Sequence, residues 1–341
     1  MFRIEYLTKE NEYRQLVEDF IQNWDDNSEY IIAHTSGSTG IPKKIQLPKQ
    51  DIKVSAKATN QHFALNENSR LLCPLSAGYI AGKMMLARAI LANCEIAFCK
   101  PSNDFWNNEK VREYILQRDI DLLPIVPSQC AIITESDIFS NYSCLLNQFR
   151  NIIIGGAAMP KATENKLLSL DKHSTRFFAT YGMTETCSHV ALRAMGDNRF
   201  YAMPQIVFST DARNCLTITA PSYSFKQLQT NDIVTLLSDD CFIWKGRHDN
   251  VINSGGIKIF PEELEKKLDG LLPSNFYIKG IADSKWGEAV SLVIEDNEIV
   301  KLLTDNEILE ICRNTLSSKE MPKAVVRVTK LPTTANGKLK R

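Results

Sequence analysis

The sequence predicts an α/β protein: a large α/β core domain with a small antiparallel β subdomain, followed by a small α+β C-terminal domain. Three observations predict this class. Between residues 30 and 180, short β-rich runs alternate with helical patterns, which is typical of a largely parallel sheet flanked by helices. Between residues 205 and 245, the helical patterns stop and short β runs are separated by turns. The 341 residues also exceed the roughly 250 to 300 that one hydrophobic core accommodates, so we expect about two domains.

The core domain is predicted to span residues 1–247. Its strands are expected where β-branched and aliphatic residues cluster, at Tyr30–His34, Arg70–Cys73, Glu95–Cys99, Asp121–Val126, Asn151–Ile154 and Arg176–Ala179. Apolar residues at helical spacing predict helices between them, at 51–64, 79–92, 107–118 and 160–169. Pro160 stands in the first turn of the last helix, where its missing N–H has no hydrogen bond to lose.

The C-terminal domain is predicted to span residues 248–341. A glycine pair follows Arg247, and an amphipathic helix is expected at 261–271. Two strands, a helix at 305–316 and a final strand at 324–329 complete this domain. The pattern is that of a small α+β unit with its own core.

The composition narrows the class of protein. Apolar residues make up 44% of the chain and charged residues 23%, as in an ordinary globular protein. The 40 Lys and Arg residues balance the 40 Asp and Glu residues, so the chain has no net charge to attract polyanions, and we expect no nucleic-acid partner.

The cysteines and the apolar segments indicate a cytoplasmic protein. Nine scattered cysteines without a C-x-x-C spacing predict buried thiols in a reducing compartment rather than disulfides or a zinc site. The first residues lack the apolar run of a signal peptide. The longest apolar stretch, Ile80–Cys99, contains Lys83, Arg88, Asn93 and Glu95, so no membrane span is expected.

The most specific local pattern is the segment from His34 to Lys43, where a strand runs into a loop of glycines and hydroxyl residues that ends in a lysine. Glycines let backbone N–H groups turn toward an anion, and the hydroxyls and the lysine add donors, so the pattern predicts a phosphate-binding loop. Two residues separate Gly37 from Gly40, and a Walker A loop would have four. The glycines alone are equally compatible with a flexible connection.

The full segment resembles the phosphate-binding loop of the adenylate-forming superfamily, which includes acyl-CoA ligases, luciferases and peptide-synthetase adenylation domains. Further segments resemble the other motifs of this superfamily in the same order. They are Gly155–Ala157, Tyr181–Thr186, Asp232, Gly246–Asp249, Ser254–Gly256, Pro261–Glu265 and Leu331–Lys338. Because the matches extend from residue 34 to residue 338, the resemblance covers almost the whole chain.

This resemblance implies a site for ATP and Mg2+. Tyr181 would stack on adenine, while Asp232 and Arg247 would bind the ribose hydroxyls. Glu185, with Thr184 beside it, would lie near the phosphates and supply the hard oxygen ligand that Mg2+ prefers. The residues implied to contact ATP are Thr35, Ser36, Gly37, Ser38, Thr39, Gly40, Lys43, Gly155, Gly156, Tyr181, Gly182, Asp232 and Arg247.

The resemblance also implies a reaction in two steps. A carboxylate attacks ATP to give an acyl-adenylate, and the thiol of coenzyme A then displaces AMP. Lys338 would stabilise the charge that develops when the carboxylate meets the α-phosphate, with Glu185 and Thr184 completing the catalytic set. Asp249 occupies the hinge position, so the C-terminal domain is expected to be mobile. The CoA arm would pass along Ser254, Gly255 and Gly256.

The segments Cys73–Arg88 and Thr184–Val190 further resemble compact o-succinylbenzoate–CoA ligases of menaquinone biosynthesis. This substrate keeps an aromatic carboxylate while its succinyl carboxylate is activated, so a cation is needed in an otherwise apolar pocket. Arg88 is the candidate cation and Lys83 the alternative, with Ser188 and Gly156 as further substrate contacts. Helical spacing alone leaves open that Arg88 is a surface residue.

Two other functions remain compatible with the sequence: a different aryl- or acyl-CoA ligase, and an adenylate-binding module without catalysis. The chain departs from the superfamily pattern at His34 and at Asn231, which replaces the usual glycine before the ribose aspartate. Only about thirty residues precede the phosphate loop, so most of the usual N-terminal subdomain is expected to be absent. A homodimer is one way to cover the surface that this leaves.

Overall fold

The computed structural model describes residues 1–35, 43–135, 143–169 and 174–332. Its helices are α1 Asn11–Asp25, α2 Lys49–His62, α3 Ile80–Ala92, α4 Glu109–Leu116, α5 Pro127–Glu135, α6 Lys161–Ser169, α7 Pro261–Leu268 and α8 Asp305–Arg313. Its strands up to residue 202 are β1 Arg3–Tyr6, β2 Tyr30–Thr35, β3 Lys43–Pro48, β4 Arg70–Cys73, β5 Glu95–Phe98, β6 Leu123–Ile125, β7 Asn151–Ile154, β8 Arg176–Gly182, β9 His189–Ala194 and β10 Arg199–Ala202. The later strands are β11 Val207–Thr210, β12 Cys215–Ala220, β13 Lys226–Ser238, β14 Cys241–Arg247, β15 Ile252–Ser254, β16 Ile257–Ile259, β17 Phe276–Asp283, β18 Gly287–Glu295 and β19 Ala324–Val328.

The largest sheet has nine strands in the order β11-β12-β13-β14-β10-β9-β8-β7-β6. Strands β6, β7 and β8 are parallel, and every pair from β8 to β11 is antiparallel. The predicted antiparallel subdomain is therefore continuous with the core sheet. A structural consequence is that the carboxyl end of β8 and the strands β13 and β14 lie on one sheet, where their side chains can meet.

Two elements near the N-terminus were absent from the sequence prediction. Strand β1 pairs in parallel with β5, and β5 pairs with β4, which gives a separate three-stranded sheet. Helix α1 buries Val17 and Phe20 against the core. Its 3.6-residue apolar spacing is the ordinary signature of an amphipathic helix.

The prediction that Tyr30–His34 belongs to a largely parallel sheet is wrong. Strand β2 instead pairs antiparallel with β3, from Tyr30 opposite Pro48 to Thr35 opposite Lys43. Ile31 and Ala33 are buried while Tyr30 and Ile32 are exposed. This alternation is typical of an antiparallel strand with one solvated face, whereas buried parallel strands are apolar throughout.

Helix α3 lies in the interior of the core, and the residues from Met84 to Ala89 are all buried. It packs beside α2 and against β4 and β5. The helix ends at Asn93, whose left-handed conformation (φ 55°) lets its N–H bond to the Ala89 carbonyl. Since nearly every side chain of α3 is apolar, the buried Arg88 is the chemical exception within it.

The region after β14 forms a second unit with its own sheet. Its strand order is β16-β15-β18-β17, with β19 added in parallel to β18. Helices α7 and α8 cover this sheet, and the fully buried residues of the hydrophobic cluster beneath them, as far as the structure describes the chain, lie between Ile252 and Leu316. The predicted α/β architecture with a small α+β C-terminal unit is confirmed, while a domain boundary at residue 247 and the mobility of the unit stay predictions.

None of the helices in the described ranges combines the length and the hydrophobicity that a transmembrane span requires.

Candidate active site at the carboxyl end of the central strands

Two glycine segments lie where parallel strands end, the usual place for a ligand site in a sheet of this type. Gly155 and Gly156 follow β7, and Gly182 is the last residue of β8. A Cβ atom on Gly155 would collide with the Thr180 hydroxyl, and one on Gly182 would collide with the Ser188 carbonyl. The strand ends are therefore packed so closely that only glycine fits at these two positions.

Tyr181 and Asp232 form the centre of the predicted nucleotide pocket. The Tyr181 hydroxyl donates to Asp232 Oδ2 at 2.7 Å, and Trp244 Nε1–H donates to Asp232 Oδ1 at 3.2 Å. The Tyr181 ring contacts Phe200 and Phe242 edge-on, with centroid distances of 5.9 and 5.1 Å. Burial raises the pKa of Tyr181 above its ordinary value, and the neighbouring Asp232 charge adds to this shift. The phenol is thus a fixed donor at neutral pH.

Arg247 and Asp249 lie beside this pocket. Asp232 is opposite Arg247 in the register of β13 and β14. Arg247 Nη2 donates to Asp249 Oδ2 at 2.9 Å, and both side chains are half exposed. Asn231 Nδ2 also reaches Asp249, at 3.4 Å. The asparagine that departs from the superfamily pattern therefore contacts the residue at the predicted hinge.

Thr184 and Glu185 lie in a single helical turn, Thr184–Thr186, directly after Met183. Thr186 holds this turn, because its buried hydroxyl accepts from the Met183 N–H and lies 2.7 Å from the Ser188 carbonyl. Glu185 is exposed, and none of the described residues forms an ion pair with it. The described part of the chain contains no cluster of three acidic, His or Cys side chains that could hold a metal ion alone. An exposed carboxylate beside a hydroxyl suits Mg2+ that arrives with ATP, since that ion keeps waters and phosphate oxygens as ligands.

Arg88 lies inside the core and not on a helix surface. Its side chain is 2% exposed, and burial lowers the pKa of the guanidinium to about 10. Arg88 Nη2 donates to Ser188 Oγ at 2.7 Å and Nη1 contacts Met85 Sδ at 3.3 Å, but Nε has no partner among the described residues. No carboxylate in the described ranges pairs with this cation. A buried, uncompensated cation is costly, so its presence points to an anionic ligand.

The structure adds residues around Arg88 that sequence reasoning missed. Asn60 Nδ2 donates to the Arg88 carbonyl at 2.9 Å, while Asn60 Oδ1 has no partner in the described chain. His189 is buried between Ser188 and Thr59, with contacts of 3.4 Å to Ser188 Oγ and 3.3 Å to Thr59 Oγ1. His189 lies within the segment that resembles the o-succinylbenzoate ligases, which was a usable signal. The two residues from α2 had no local signal.

Lys83 is not part of this cluster. Its ammonium lies 5.7 Å from the centroid of the Phe20 ring on α1, and burial lowers the pKa of its amine. The five-residue separation from Arg88 places the two side chains on different faces of α3. The structure therefore brings Arg88 and Ser188 together and leaves Lys83 apart from them.

The predicted CoA segment forms a tight turn between β15 and β16. Gly255 and Gly256 both have positive φ angles, 58° and 80°, and the Gly255 N–H donates to the Trp286 carbonyl at 2.8 Å. A Cβ on Gly255 would lie 2.7 Å from Trp286 Cε3, whereas one on Gly256 would meet nothing within 4 Å. The half-exposed Trp286 ring therefore lies directly against the turn. Ser254 ends β15.

Besides Asp249, two further carboxylates of the second unit contact the core. Asp269 Oδ2 accepts hydrogen bonds from the backbone N–H groups of Lys161 and Ala162 at the start of α6. These N–H groups have no partner inside the helix, and a carboxylate is the favoured group at a helix N-terminus. Lys245 before the predicted hinge pairs with Glu263 after it, with a distance of 2.6 Å.

Several predicted site residues lie outside the described residues. They are Ser36, Gly37, Ser38, Thr39, Gly40 and Lys338. Thr35 and Lys43 lie at the ends of β2 and β3, opposite one another in the hairpin. The hairpin thus carries both ends of the predicted phosphate loop.

The fold and the composition of the site are those of a known class. Residues 4–212 match the family of AMP-binding enzymes, and the chain belongs to this family. The predicted superfamily and the prediction of an AMP-forming enzyme are confirmed.

Individual relatives of the chain have more specific names than the family has. The 2-succinylbenzoate–CoA ligase of Listeria monocytogenes is 23% identical over 355 residues, which cover 97% of this chain and 72% of that protein. The enzyme of the same name from Staphylococcus epidermidis is 24% identical over 367 residues, covering 97% and 73%.

Solved structures agree with these comparisons. An AMP-forming acyl-CoA synthetase/AMP-acid ligase II-like protein from Dyadobacter fermentans is 29% identical, with a TM-score of 0.63 over 97% of this chain and 93% of that one. The o-succinylbenzoate coenzyme A synthetase (MenE) from Bacillus subtilis, in complex with ATP and magnesium ion, has a TM-score of 0.73 at 20% identity, covering 91% and 68%. This likeness confirms the fold, and ATP and Mg2+ are the two cofactors that the sequence predicted.

Proposed function

We propose that this chain is an o-succinylbenzoate–CoA ligase, which joins o-succinylbenzoate to coenzyme A with conversion of ATP to AMP and pyrophosphate. The names of the curated relatives support this substrate, and so does the chemistry of the pocket. The pathway that follows from the substrate is menaquinone biosynthesis, and a cytoplasmic location belongs to the same proposal.

The observation that carries the proposal is the environment of Arg88. Its guanidinium is buried, it faces a serine hydroxyl, and the described residues offer it no carboxylate. o-Succinylbenzoate has two carboxylates, of which only the succinyl one reacts. The aromatic carboxylate must be desolvated with the rest of the substrate, and a charge-assisted bond to Arg88 would offset that cost. A fatty acid has no second anion that needs this cation.

The first half-reaction forms the bond between a succinyl carboxylate oxygen and the α-phosphorus of ATP, and the bond to the β-phosphate breaks as pyrophosphate leaves. Tyr181, Asp232 and Arg247 would hold the nucleoside, and Glu185 would bind the Mg2+ that accompanies the phosphates. Lys338 would stabilise the oxygens of the α-phosphate as charge develops on them. Mg2+ bound there would neutralise part of the charge on the departing pyrophosphate.

The second half-reaction forms the thioester. The CoA sulfur attacks the acyl carbon, the bond from that carbon to the AMP oxygen breaks, and the thiol proton passes to solvent. We propose that residues 248–341 rotate at Asp249 between the two steps and bring Gly255 and Gly256 beside the CoA arm. The positive φ angles of both glycines and their lack of side chains suit a close approach of that arm.

The experiment is a panel of carboxylates incubated with the enzyme, ATP, Mg2+ and CoA. Pyrophosphate release and the mass of the CoA product are recorded for o-succinylbenzoate, benzoate, a medium-chain fatty acid and an amino acid. The proposal requires o-succinylbenzoyl-CoA as the dominant product. Turnover of another carboxylate alone would replace the substrate while keeping the ligase, and no turnover of any acid, with retained binding of an acyl-adenylate analogue, would favour a binding module.

A homodimer is a separate part of the proposal. Sedimentation velocity at two protein concentrations measures it, and a single monomeric species would contradict it.

A further inference from the structure

A chain of buried hydrogen bonds starts at Arg88 and ends at a backbone carbonyl. Arg88 Nη2 contacts Ser188 Oγ, Ser188 Oγ contacts His189 Nδ1, His189 Nε2 contacts Thr59 Oγ1, and Thr59 Oγ1 contacts the Ser55 carbonyl. The four distances are 2.7, 3.4, 3.3 and 3.1 Å. His189 is 6% exposed, so water does not compete for its ring nitrogens.

The donor and acceptor properties of these groups fix the direction of each of the four hydrogen bonds. A guanidinium only donates, so Ser188 Oγ accepts from Arg88. A carbonyl only accepts, so the single proton of the Thr59 hydroxyl is used on Ser55. Thr59 Oγ1 must then accept from His189 Nε2, which therefore carries a proton. In a neutral imidazole Nδ1 is left as an acceptor, and the Ser188 hydroxyl donates its hydrogen bond to it.

The charges around His189 favour the neutral ring. Burial lowers its pKa well below the ordinary value, and the positive charge of Arg88 on α3 adds to the shift, followed by His62 on α2. The other titratable groups near Arg88 are the buried Cys73 thiol and the Tyr223 phenol, whose pKa values burial raises to about 12 in both cases. Asp51, on α2, is hydrogen-bonded to Ser224. Its carboxylate accepts from the Ser224 backbone N–H at 2.8 Å and from the Ser224 hydroxyl at 2.5 Å.

We propose that His189 is a positioning residue for the spectator carboxylate of the substrate. As the neutral Nε2–H tautomer it accepts a hydrogen bond from the Ser188 hydroxyl at Nδ1, so that Ser188 presents lone pairs to Arg88 and holds the guanidinium by one N–H. The remaining donors of Arg88, including the unpartnered Nε–H, are left for the anion. Ser188 thus acts through Arg88, and not as a donor to the substrate. This inference rests on the proposed function, because it concerns the same pocket.

Two substitutions of similar shape test the roles of the two ring nitrogens of His189 separately. In His189→Asn the side-chain oxygen can take the place of Nδ1 and accept from Ser188, while the link to Thr59 is lost. In His189→Gln the side-chain amide reaches the place of Nε2 and Thr59, while Ser188 loses its acceptor. We expect the KM for o-succinylbenzoate to stay within about threefold in the Asn variant and to rise at least tenfold in the Gln variant, in line with the loss of a hydrogen bond that serves a charged group.

A structural role alone would not produce this pattern. The KM for ATP and the kcat at saturating substrate should stay within about threefold in both variants. For 4-oxo-4-phenylbutanoate, a substrate without the aromatic carboxylate, the Asn and Gln variants should have the same KM. Equal KM values for o-succinylbenzoate in the Asn and Gln variants would overturn the inference.

The tautomer is measured independently of activity. The 15N spectrum of the five histidines, with the His189 signal assigned by its loss in His189→Asn, should show a protonated Nε2 and an unprotonated Nδ1 at pH 7. A protonated Nδ1 together with normal turnover of o-succinylbenzoate would overturn this inference and leave the proposed function intact. An unmodified enzyme that does not turn over o-succinylbenzoate would overturn both.

Discussion

The Tyr181 hydroxyl donates a hydrogen bond to Asp232 Oδ2 at 2.7 Å, although 51 positions separate the two residues in the chain. Strands β8 and β13 belong to the same sheet, in which β9, β10 and β14 lie between them. Trp244 holds the other oxygen of the same carboxylate. Each carboxylate oxygen keeps a further acceptor site. Asp232 is therefore oriented before a ribose arrives.

The hydrogen bond between Tyr181 and Asp232 predicts different effects of substitution at the two residues. Asp232→Ala removes the proposed ribose acceptor, so the KM for ATP is expected to rise at least tenfold, as for the loss of a hydrogen bond to a charged group. Tyr181→Phe keeps the aromatic ring that is proposed to stack on adenine, and it keeps the charge on Asp232, so a rise of less than about fivefold is expected. Initial rates at varied ATP measure both, with the KM for the carboxylate as the internal control. Equal effects in the two variants would contradict the assigned roles.

The glycine turn beside Trp286 supports a second prediction. Gly255→Ala and Gly256→Ala both place a side chain at positive φ, which costs about 1 to 2 kcal/mol in each case. Only the Cβ on residue 255 would contact the indole, at 2.7 Å from Trp286 Cε3. We expect Gly255→Ala to slow transfer of the acyl group to CoA at least fivefold more than Gly256→Ala, and to shift the tryptophan fluorescence.

Single-turnover rates from preformed acyl-adenylate test this comparison. Adenylation rates measured without CoA are the control, and neither variant should change them more than about twofold. If both glycine variants slow thioester formation equally, the backbone conformation and not the Trp286 contact would be responsible.

Asp269 supports a third prediction, because it caps α6 from the other unit. Asp269→Ala leaves two backbone N–H groups without their carboxylate, a change of about 1 kcal/mol by comparison with helix caps. The second unit should then detach from the core more often. We expect trypsin to cleave several-fold faster within 245–251, which contains Lys245 and Arg247. Glu298→Ala is the control, because it removes an exposed carboxylate that, among the described residues, pairs only with Lys301. Unchanged cleavage would indicate that Asp269 does not hold the two units together.

Buried His189 predicts a pH dependence of stability. Its pKa is lowered in the folded protein, and it lies near 6.5 when the chain is unfolded. Below about pH 6.5 the unfolded chain binds a proton that the folded protein does not bind, so the free energy of unfolding falls as the pH decreases. The slope from this residue can reach about 1.4 kcal/mol per pH unit until the folded pKa is passed. Urea unfolding of the unmodified protein and of His189→Asn at pH 7, 6 and 5 measures it. Parallel losses in the two proteins would assign the dependence to other groups.

The local elements were predictable from the sequence, whereas their partners were not. Helix α3 and strands β4, β5 and β7 coincide with predicted segments because runs of apolar residues between polar turns are a local signal. The prediction that β2 belongs to a largely parallel sheet was wrong, since the partner of a strand is decided by contacts elsewhere in the chain. The alternation in Tyr30–His34 was the available evidence for a half-exposed hairpin.

In the candidate site too, local motifs were predictable from the sequence, whereas contacts between distant segments were not. The motif residues Tyr181, Asp232 and Arg247 were identified by their order in the chain, and the structure brings them together. The direction of Arg88 could not be deduced, because α3 is apolar on all faces and so has no polar face to orient it. Thr59 and Asn60 contribute through the packing of α2 against α3, which no motif records.

The most direct test of the account combines Arg88 with the carboxylate that it is proposed to hold. The kcat/KM is measured for o-succinylbenzoate and for 4-oxo-4-phenylbutanoate, which lacks the aromatic carboxylate, with the unmodified enzyme and with Arg88→Met. Arg313→Met, at an exposed position on α8, is the control. We expect the unmodified enzyme to prefer o-succinylbenzoate by at least 100-fold and Arg88→Met to reduce that preference to less than tenfold, mainly by loss of activity on o-succinylbenzoate. An equal loss on both substrates, with the preference unchanged, would contradict the claim that Arg88 recognises the spectator carboxylate.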